Sequence, residues 1–140
     1  MTKEITCPVC NKRFINDTCA DCDELVTRLN KKTIGIDFDG TICKKQPYGD
    51  GNIYQTPNEG AKEVINKLFE DYKIVVFTTR LNPEFGGDIE WKKLQITMWL
   101  DKYGIKFDQV TNNKPAAMAY IDDRAIRFTN WQDISNYFLM

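Results

Sequence analysis

Apolar positions recur along this chain in two rhythms, and together they predict alternating strands and helices. Ile34, Ile36 and Phe38 mark a buried strand that ends in Asp37, Asp39, Gly40 and Thr41. Thr56-Pro57-Asn58-Glu59 predicts a helix start, with Thr56 as N-cap, Pro57 at the first helical position and Glu59 three residues beyond the cap. Ala61, Val64, Ile65, Leu68, Phe69 and Tyr72 follow at helical spacing as one core-facing stripe. Lys73–Phe77 is the second buried strand, closed by Thr78-Thr79-Arg80. Asp88 is expected to cap a further helix whose apolar face is Trp91, Leu94, Met98 and Trp99, and Gly104 to end it. Residues 107–110 and 119–121 read as the third and fourth strands, and 126–128 as a small edge strand. A closing helix is expected over 131–138, opened by Thr129 or Asn130.

Strand, helix, strand in that order gives a right-handed crossover and a parallel pair. The pattern therefore predicts an α/β domain over residues 31–140, a mostly parallel sheet flanked by helices. In an extended chain two carboxylates at i and i+2 point the same way, and open α/β sheets bind ligands outside the carboxyl ends of their strands. Asp37 and Asp39 meet both conditions, with Gly40 free to turn and Thr41 able to hydrogen-bond locally. Collecting the other strand ends adds Thr78, Lys114, Asp122 and Asp123. The set comprises a nucleophile, an acid/base, a hydroxyl donor, a cation and extra carboxylates for a metal. Phosphoryl transfer uses such a set, because its transition state spreads charge that donors and cations must meet.

Residues 1–30 read as a separate unit. Cys7-Pro8-Val9-Cys10 and Cys19-Ala20-Asp21-Cys22 are two C-x-x-C pairs, each able to present two thiolates to one tetrahedral zinc ion. So short a segment needs a staple of this kind to fold. A redox C-x-x-C would normally occur once, beside a βαβ pattern. Residues 23–30 are expected to form a short helix into the main domain. Through residue 32 the charges are six basic and five acidic, little for a phosphate-gripping surface.

Composition narrows the rest. The 140 residues are 42% hydrophobic with net charge −1, which gives no global pull toward nucleic acid or anionic lipid. No apolar run approaches the length of a membrane span, and the first residues lack the core of a signal peptide. Five cysteines, four of them clustered, fit a reducing compartment, so a cytoplasmic protein is expected. Histidine is absent, leaving carboxylates for acid–base work.

The motifs IDFDGT, VVFTT, Lys114 and IDD, in that order and each in its strand context, resemble those of the haloacid dehalogenase (HAD) superfamily of phosphohydrolases. The resemblance runs from about residue 32 to the end. It implies an HAD-like, Rossmann-like fold in which Asp37 attacks phosphorus to form an aspartyl-phosphate. Asp39 would protonate the leaving oxygen and then activate water. Asp37, Asp39 through its carbonyl, and Asp122 would hold Mg²⁺, with Asp123 in support. Thr78 would donate to the phosphate, Lys114 would neutralise charge and Thr41 would steady the motif loop.

The gaps 42–73 and 81–113 leave no room for the cap domain that often closes such sites. An uncapped, Mg²⁺-dependent phosphomonoesterase with a structural zinc knuckle is the leading expectation. Thr78-Thr79-Arg80 and Asp122-Asp123-Arg124 are also similar to the phosphatase module of polynucleotide kinase-phosphatases, which points to a nucleotide or a nucleic-acid phosphate end. Thr41, Thr79 and Arg80 would then contact substrate, Arg80 reading a second phosphate or a nucleotide. The plainer reading of the arginines is pairing with nearby acids, and it is the favoured one for Arg124 and Arg127. The rivals are a phosphatase of another small phosphate or a phosphoprotein, and a zinc-ribbon adaptor of little turnover. Tyr48 and Phe85, in loops near the strand ends, are the stacking candidates, and Cys43 reads as a small buried residue. Oligomeric state is left open.

Overall fold

The computed structural model describes Arg28, residues 30–139 and two short strands near the start of the chain. Those strands, β1 (Glu4–Thr6) and β2 (Arg13–Ile15), pair antiparallel with Ile5 opposite Phe14. Cys7, Cys10, Cys19 and Cys22 lie outside the described residues, as does the helix expected over 23–30 apart from Arg28 and Asn30.

The main sheet has four parallel strands: β3 (Thr33–Asp37), β4 (Lys73–Phe77), β5 (Gln109–Thr111) and β6 (Ala119–Ile121), in the order β5-β4-β3-β6. Helix α1 (Ala61–Asp71) connects β3 to β4, and α2 (Ile89–Lys102) connects β4 to β5. Helix α3 (Trp131–Leu139) follows β6. Right-handed crossovers carry α1 and α2 to the same sheet face. Packing agrees, since Ile65, Ile96, Trp99 and Leu100 cluster with Ile34, Ile36, Ile74, Val76 and Val110. Phe38 is fully buried there, edge-on to Trp99 at 5.0 Å. The other face is closed more thinly: a Cβ on Gly35 would lie 3.0 Å from the Tyr120 ring and 3.1 Å from Pro115, so this strand passes close beneath both. The chain steps outward from β3 to β4 to β5, then returns to the far side of β3 as β6. Strand order reverses between β3 and β6, and a crevice opens there above the carboxyl ends.

Several elements differ from the sequence expectation, each for a physical reason. Helix α1 starts at Ala61, after Gly60 with φ +84°, and Thr56 is not its cap. Thr56 and Pro57 instead run beside Cys43 and Lys44: Lys44 N–H donates to Thr56 O at 3.0 Å, and Cys43 and Pro57 form an antiparallel bridge. Val64, expected in the core, is exposed. The buried side of α2 is Ile96, Trp99 and Leu100, while Trp91, Leu94 and Met98 face outward. Asp88 does cap α2, accepting from Glu90 N–H at 3.0 Å and Trp91 N–H at 3.3 Å, and Gly104 with φ +68° follows its end. Residues 126–128 form no strand. Asn130 caps α3 by accepting from Asp133 N–H at 2.9 Å, but no α3 residue is buried.

The third strand begins one residue after Asp108, because Asp108 has another task. Arg28 Nε and Nη2 donate to its two oxygens at 2.7 and 2.6 Å, and Ile74 N–H donates to Oδ2 at 2.7 Å. Arg28 also donates to Phe69 O and Tyr72 O, with its guanidinium 3.4 Å from the Phe69 ring centroid. Burial alone would raise the Asp108 carboxyl, but the Arg28 and Ile74 donors outweigh it and hold the group below the usual carboxylate range. Its contribution is therefore present above the unfolded pKa and is lost as pH falls through the folded one. Replacing Asp108 with Ala takes the carboxylate away from a mostly buried guanidinium, at a cost of about 3 kcal/mol. The expected result is a lower urea midpoint at pH 7 with an unchanged slope, and a smaller penalty at pH 3.

Candidate active site

The crevice is built by three strand ends and two loops. From β3 the chain turns at Gly40, with φ +82°, and a Cβ there would collide with the Asp123 carboxylate. Only glycine meets both the backbone conformation and the close approach. Phe38 O accepts from the N–H groups of Ile42 and Cys43 at 3.1 and 3.0 Å, closing the turn. Asn58 Nδ2 donates to Thr41 O at 2.9 Å and holds it from outside. Thr41 joins the two acidic strand ends: its Oγ1 lies 3.4 Å from Asp37 Oδ2 and from Asp123 Oδ1, and accepts from Asp123 N–H at 3.0 Å.

Asp37, Asp122 and Asp123 thereby each offer an oxygen, and the three lie within 4.8 Å of one another. Burial, contact with the Asp123 carboxyl and the negative charges of Asp122, Asp123 and Asp39 push the Asp37 carboxyl up to about 7. Three converging hard oxygens under mutual repulsion suit a divalent cation such as Mg²⁺. Asp39 is turned elsewhere. Arg80 shares its Nε–H between Asp39 Oδ1 and Oδ2 at 2.9 and 2.7 Å, and its Nη1 donates to Gly51 O at 3.0 Å. Arg80 is only 4% exposed and takes its backbone position from a 3₁₀ turn, Thr79–Leu81, in which Thr78 Oγ1 accepts from Arg80 N–H at 3.1 Å.

A cleft of about 350 Å³ collects Asp37, Asp39, Asp122, Asp123, Thr79 and Arg80 with Lys45, Gln46, Tyr48, Phe77, Phe85 and Arg124. Tyr48 and Phe85 stack on each other at 4.7 Å across its rim, joining the loop after β3 to the loop after β4. Thr78 and Lys114 are not in this cleft. They line a neighbouring cavity of about 920 Å³ that shares Phe77, Thr79 and Asp122 with it, and Lys114 Nζ sits 4.3 Å above the Tyr120 ring. Among the described residues Arg124 and Arg127 make no ion pair. Arg124 borders the acidic cleft and Arg127 the neighbouring cavity. Cys43 is fully buried, and burial with the nearby Asp39 charge pushes its thiol up to about 11, which keeps it out of nucleophilic chemistry. Sequence reasoning missed Asn58, which carried the signal of a helix first turn, and the Gly51 carbonyl, which no side-chain pattern announces.

No protein-family model, curated protein or solved structure matches this chain. Among the described residues no helix is long and apolar enough to cross a membrane.

The raised Asp37 group fixes the sign of a binding experiment. Between about pH 4 and 7 the folded protein holds a proton there that the unfolded chain releases, so this group's contribution to stability falls as pH rises through that window. A divalent cation bound at these acids would take the proton's place. At a hundredfold excess over Kd, Mg²⁺ should add about 2.7 kcal/mol, or about 10 °C of Tm for a domain of this size. The shift should be larger at pH 8 than at pH 5.5. Equal shifts at both pH values would place the ion away from these acids.

Proposed function

We propose that this chain is an uncapped, Mg²⁺-dependent phosphomonoester hydrolase of the haloacid dehalogenase type, working on a nucleotide or a nucleic-acid phosphate end. The observation that carries the reading is the meeting of Asp37, Asp122 and Asp123 at the switch point of a parallel sheet, with Asp39 in the same turn. Asp37, Asp122, Asp123 and the Asp39 carbonyl would hold the ion, which supplies positive charge to the phosphoryl oxygens.

In this mechanism an Asp37 oxygen attacks phosphorus as the ester P–O bond breaks, giving an aspartyl-phosphate and an alcohol. Asp39 gives its proton to the leaving oxygen, then takes one from the water that attacks phosphorus and restores Asp37. Arg80 and Thr79 line the cleft that would receive the phosphoryl group, while Thr41 keeps Asp37 and Asp123 in register. Thr78 and Lys114, assigned to the phosphate by the family resemblance, would act from the adjoining cavity, where Lys114 Nζ lies over the Tyr120 ring. Support for a nucleotide or strand end comes from Lys45 and Arg124 beside the acids and from the aromatic rim of Tyr48 and Phe85. Cys7, Cys10, Cys19 and Cys22 would hold one structural zinc, the first pair falling between β1 and β2 in sequence.

The test is phosphate release with Mg²⁺ from mononucleotides, sugar phosphates and oligonucleotides carrying a 3′- or 5′-phosphate. A nucleotide or an oligonucleotide end should be preferred, and Asp37→Asn should lower turnover by at least about 10³-fold with the circular dichroism unchanged. Turnover that survives Asp37→Asn would remove the covalent route. Metal analysis of the purified chain should find one zinc per molecule, and its absence would remove the assignment of the four cysteines as zinc ligands.

A further inference from the structure

We infer that Arg80 is a latch between the 44–56 flap and Asp39, and that a phosphoryl group entering the cleft releases it. The inference rests on the hydrolase reading above and specifies how that site opens for its substrate.

The three guanidinium nitrogens of Arg80 are used unequally. Nε–H is divided between both oxygens of Asp39, and Nη1 reaches the flap through Gly51 O. Nη2 has no partner among the described residues, although the residue is 4% exposed and borders the cleft. Among the described residues no buried side-chain nitrogen is left unsatisfied, so Nη2 is open to solvent, and a guanidinium that lines the cleft beside the Tyr48 ring with one nitrogen uncommitted to protein is placed to take an oxyanion. A phosphoryl group offers several oxygens to that planar fork, whereas Asp39 holds it by one shared N–H. Charge and geometry both favour transfer of the guanidinium from the carboxylate to the phosphoryl oxygens.

The flap is arranged to respond as a unit. Gln46 Oε1 accepts from the N–H groups of Tyr54 and Gln55 at 3.0 Å each, and Gln46 Nε2 donates to Asn52 O at 2.8 Å. This internal bonding makes the loop stiff. It is tied to the body by Arg80 to Gly51 O, Gln95 to Asn52 at 2.9 Å, Trp99 Nε1 to Gln55 O at 3.0 Å, Ile53 against the core, and Tyr48, which stacks on Phe85 with Arg80 and Lys92 over its ring. While the latch is closed, both Asp39 oxygens accept from Arg80. Once Arg80 turns to the phosphoryl group, those oxygens are free to serve the leaving oxygen and the water.

The experiment follows arginine Nε–H resonances in ¹H–¹⁵N spectra of the full chain with Mg²⁺, using inorganic phosphate as the probe. Arg28 supplies an internal control, since its Nε–H is held by Asp108 and does not border the cleft. The Arg80 resonance is assigned through its side-chain couplings, and independently by its loss in Arg80→Lys. Phosphate should shift or abolish the Arg80 signal and leave that of Arg28 in place. If calorimetry shows phosphate bound while the Arg80 signal stays put, the latch is wrong and the hydrolase reading stands. A spectrum with no protected Arg80 signal before phosphate also refutes the latch. No phosphate binding, together with no phosphate release from any substrate of the panel, overturns the hydrolase reading and the latch with it.

Discussion

Carboxylate repulsion at one end of a parallel sheet is the constraint around which the rest of this structure is arranged. Asp37, Asp122 and Asp123 come from two strands that are far apart in sequence and adjacent in space, and their oxygens lie within 4.8 Å. Burying like charges together costs stability, as the rise of Asp37 to about 7 records. Such an arrangement persists only where the surrounding bonds over-determine it. Here they do: Gly40 makes room for Asp123, Thr41 bonds to both sides, and Asn58 holds the Thr41 carbonyl. The core beneath is closely packed, with Phe38 wholly buried against Trp99. The same dense packing that stabilises β3 prevents its acidic end from relaxing away.

At the opposite end of the sheet the electrostatics are reversed in sense. Asp108 lies at the start of β5 with Arg28 across both its oxygens, and the pair is further tied to the C-terminal turn of α1 through Phe69 O and Tyr72 O. One end stores unlike charges in close contact and favours the folded state. The other gathers like charges. The separation is a consequence of parallel topology, which gives every strand the same polarity and so collects all carboxyl ends on one edge.

Much of this arrangement was legible in the sequence, and the exceptions have physical causes. The strands could be read because Ile34, Ile36, Ile74, Val75 and Val76 are buried runs whose ends are polar. Gathering the strand ends and the HAD resemblance put Asp37, Asp122 and Asp123 on one edge of the sheet, while the pairing of β3 with β6 is a finding of the structure. The start of α1 lies beyond Thr56-Pro57-Asn58-Glu59, although these satisfy the local rule for a helix cap, because tertiary bonds use Asn58 for the Thr41 carbonyl, Thr56 O for Lys44 N–H and Pro57 for the bridge to Cys43. The face of α2 was misjudged because its apolar residues surround the helix, so spacing alone could not choose Ile96 and Leu100 over Leu94 and Met98. The sequence offers Arg80 either a phosphate or a neighbouring acid, and in the structure it pairs with Asp39, an acid 41 positions away that sequence distance does not announce. Lys114 reached the right end of the sheet but not the acidic cleft, since the Tyr120 ring offers its ammonium a nearer partner.

A bare sheet edge cannot surround a ligand, and the described residues contain no second domain above this one. The enclosing walls come from the loops that leave β3 and β4, and they meet where Tyr48 stacks on Phe85. Their supports are distinct from those of the acids: the flap relies on Gln46, Gln95 and Trp99, while the acids rely on Gly40, Thr41 and Asn58. Arg80 is the side chain that touches both systems, through Gly51 on one side and Asp39 on the other. Changes in the loops can therefore alter the shape of the cleft without disturbing the carboxylates, provided Arg80 keeps its two attachments. That division gives a small α/β domain a means of separating what it recognises from the chemistry proposed for it, with one guanidinium keeping the two in step.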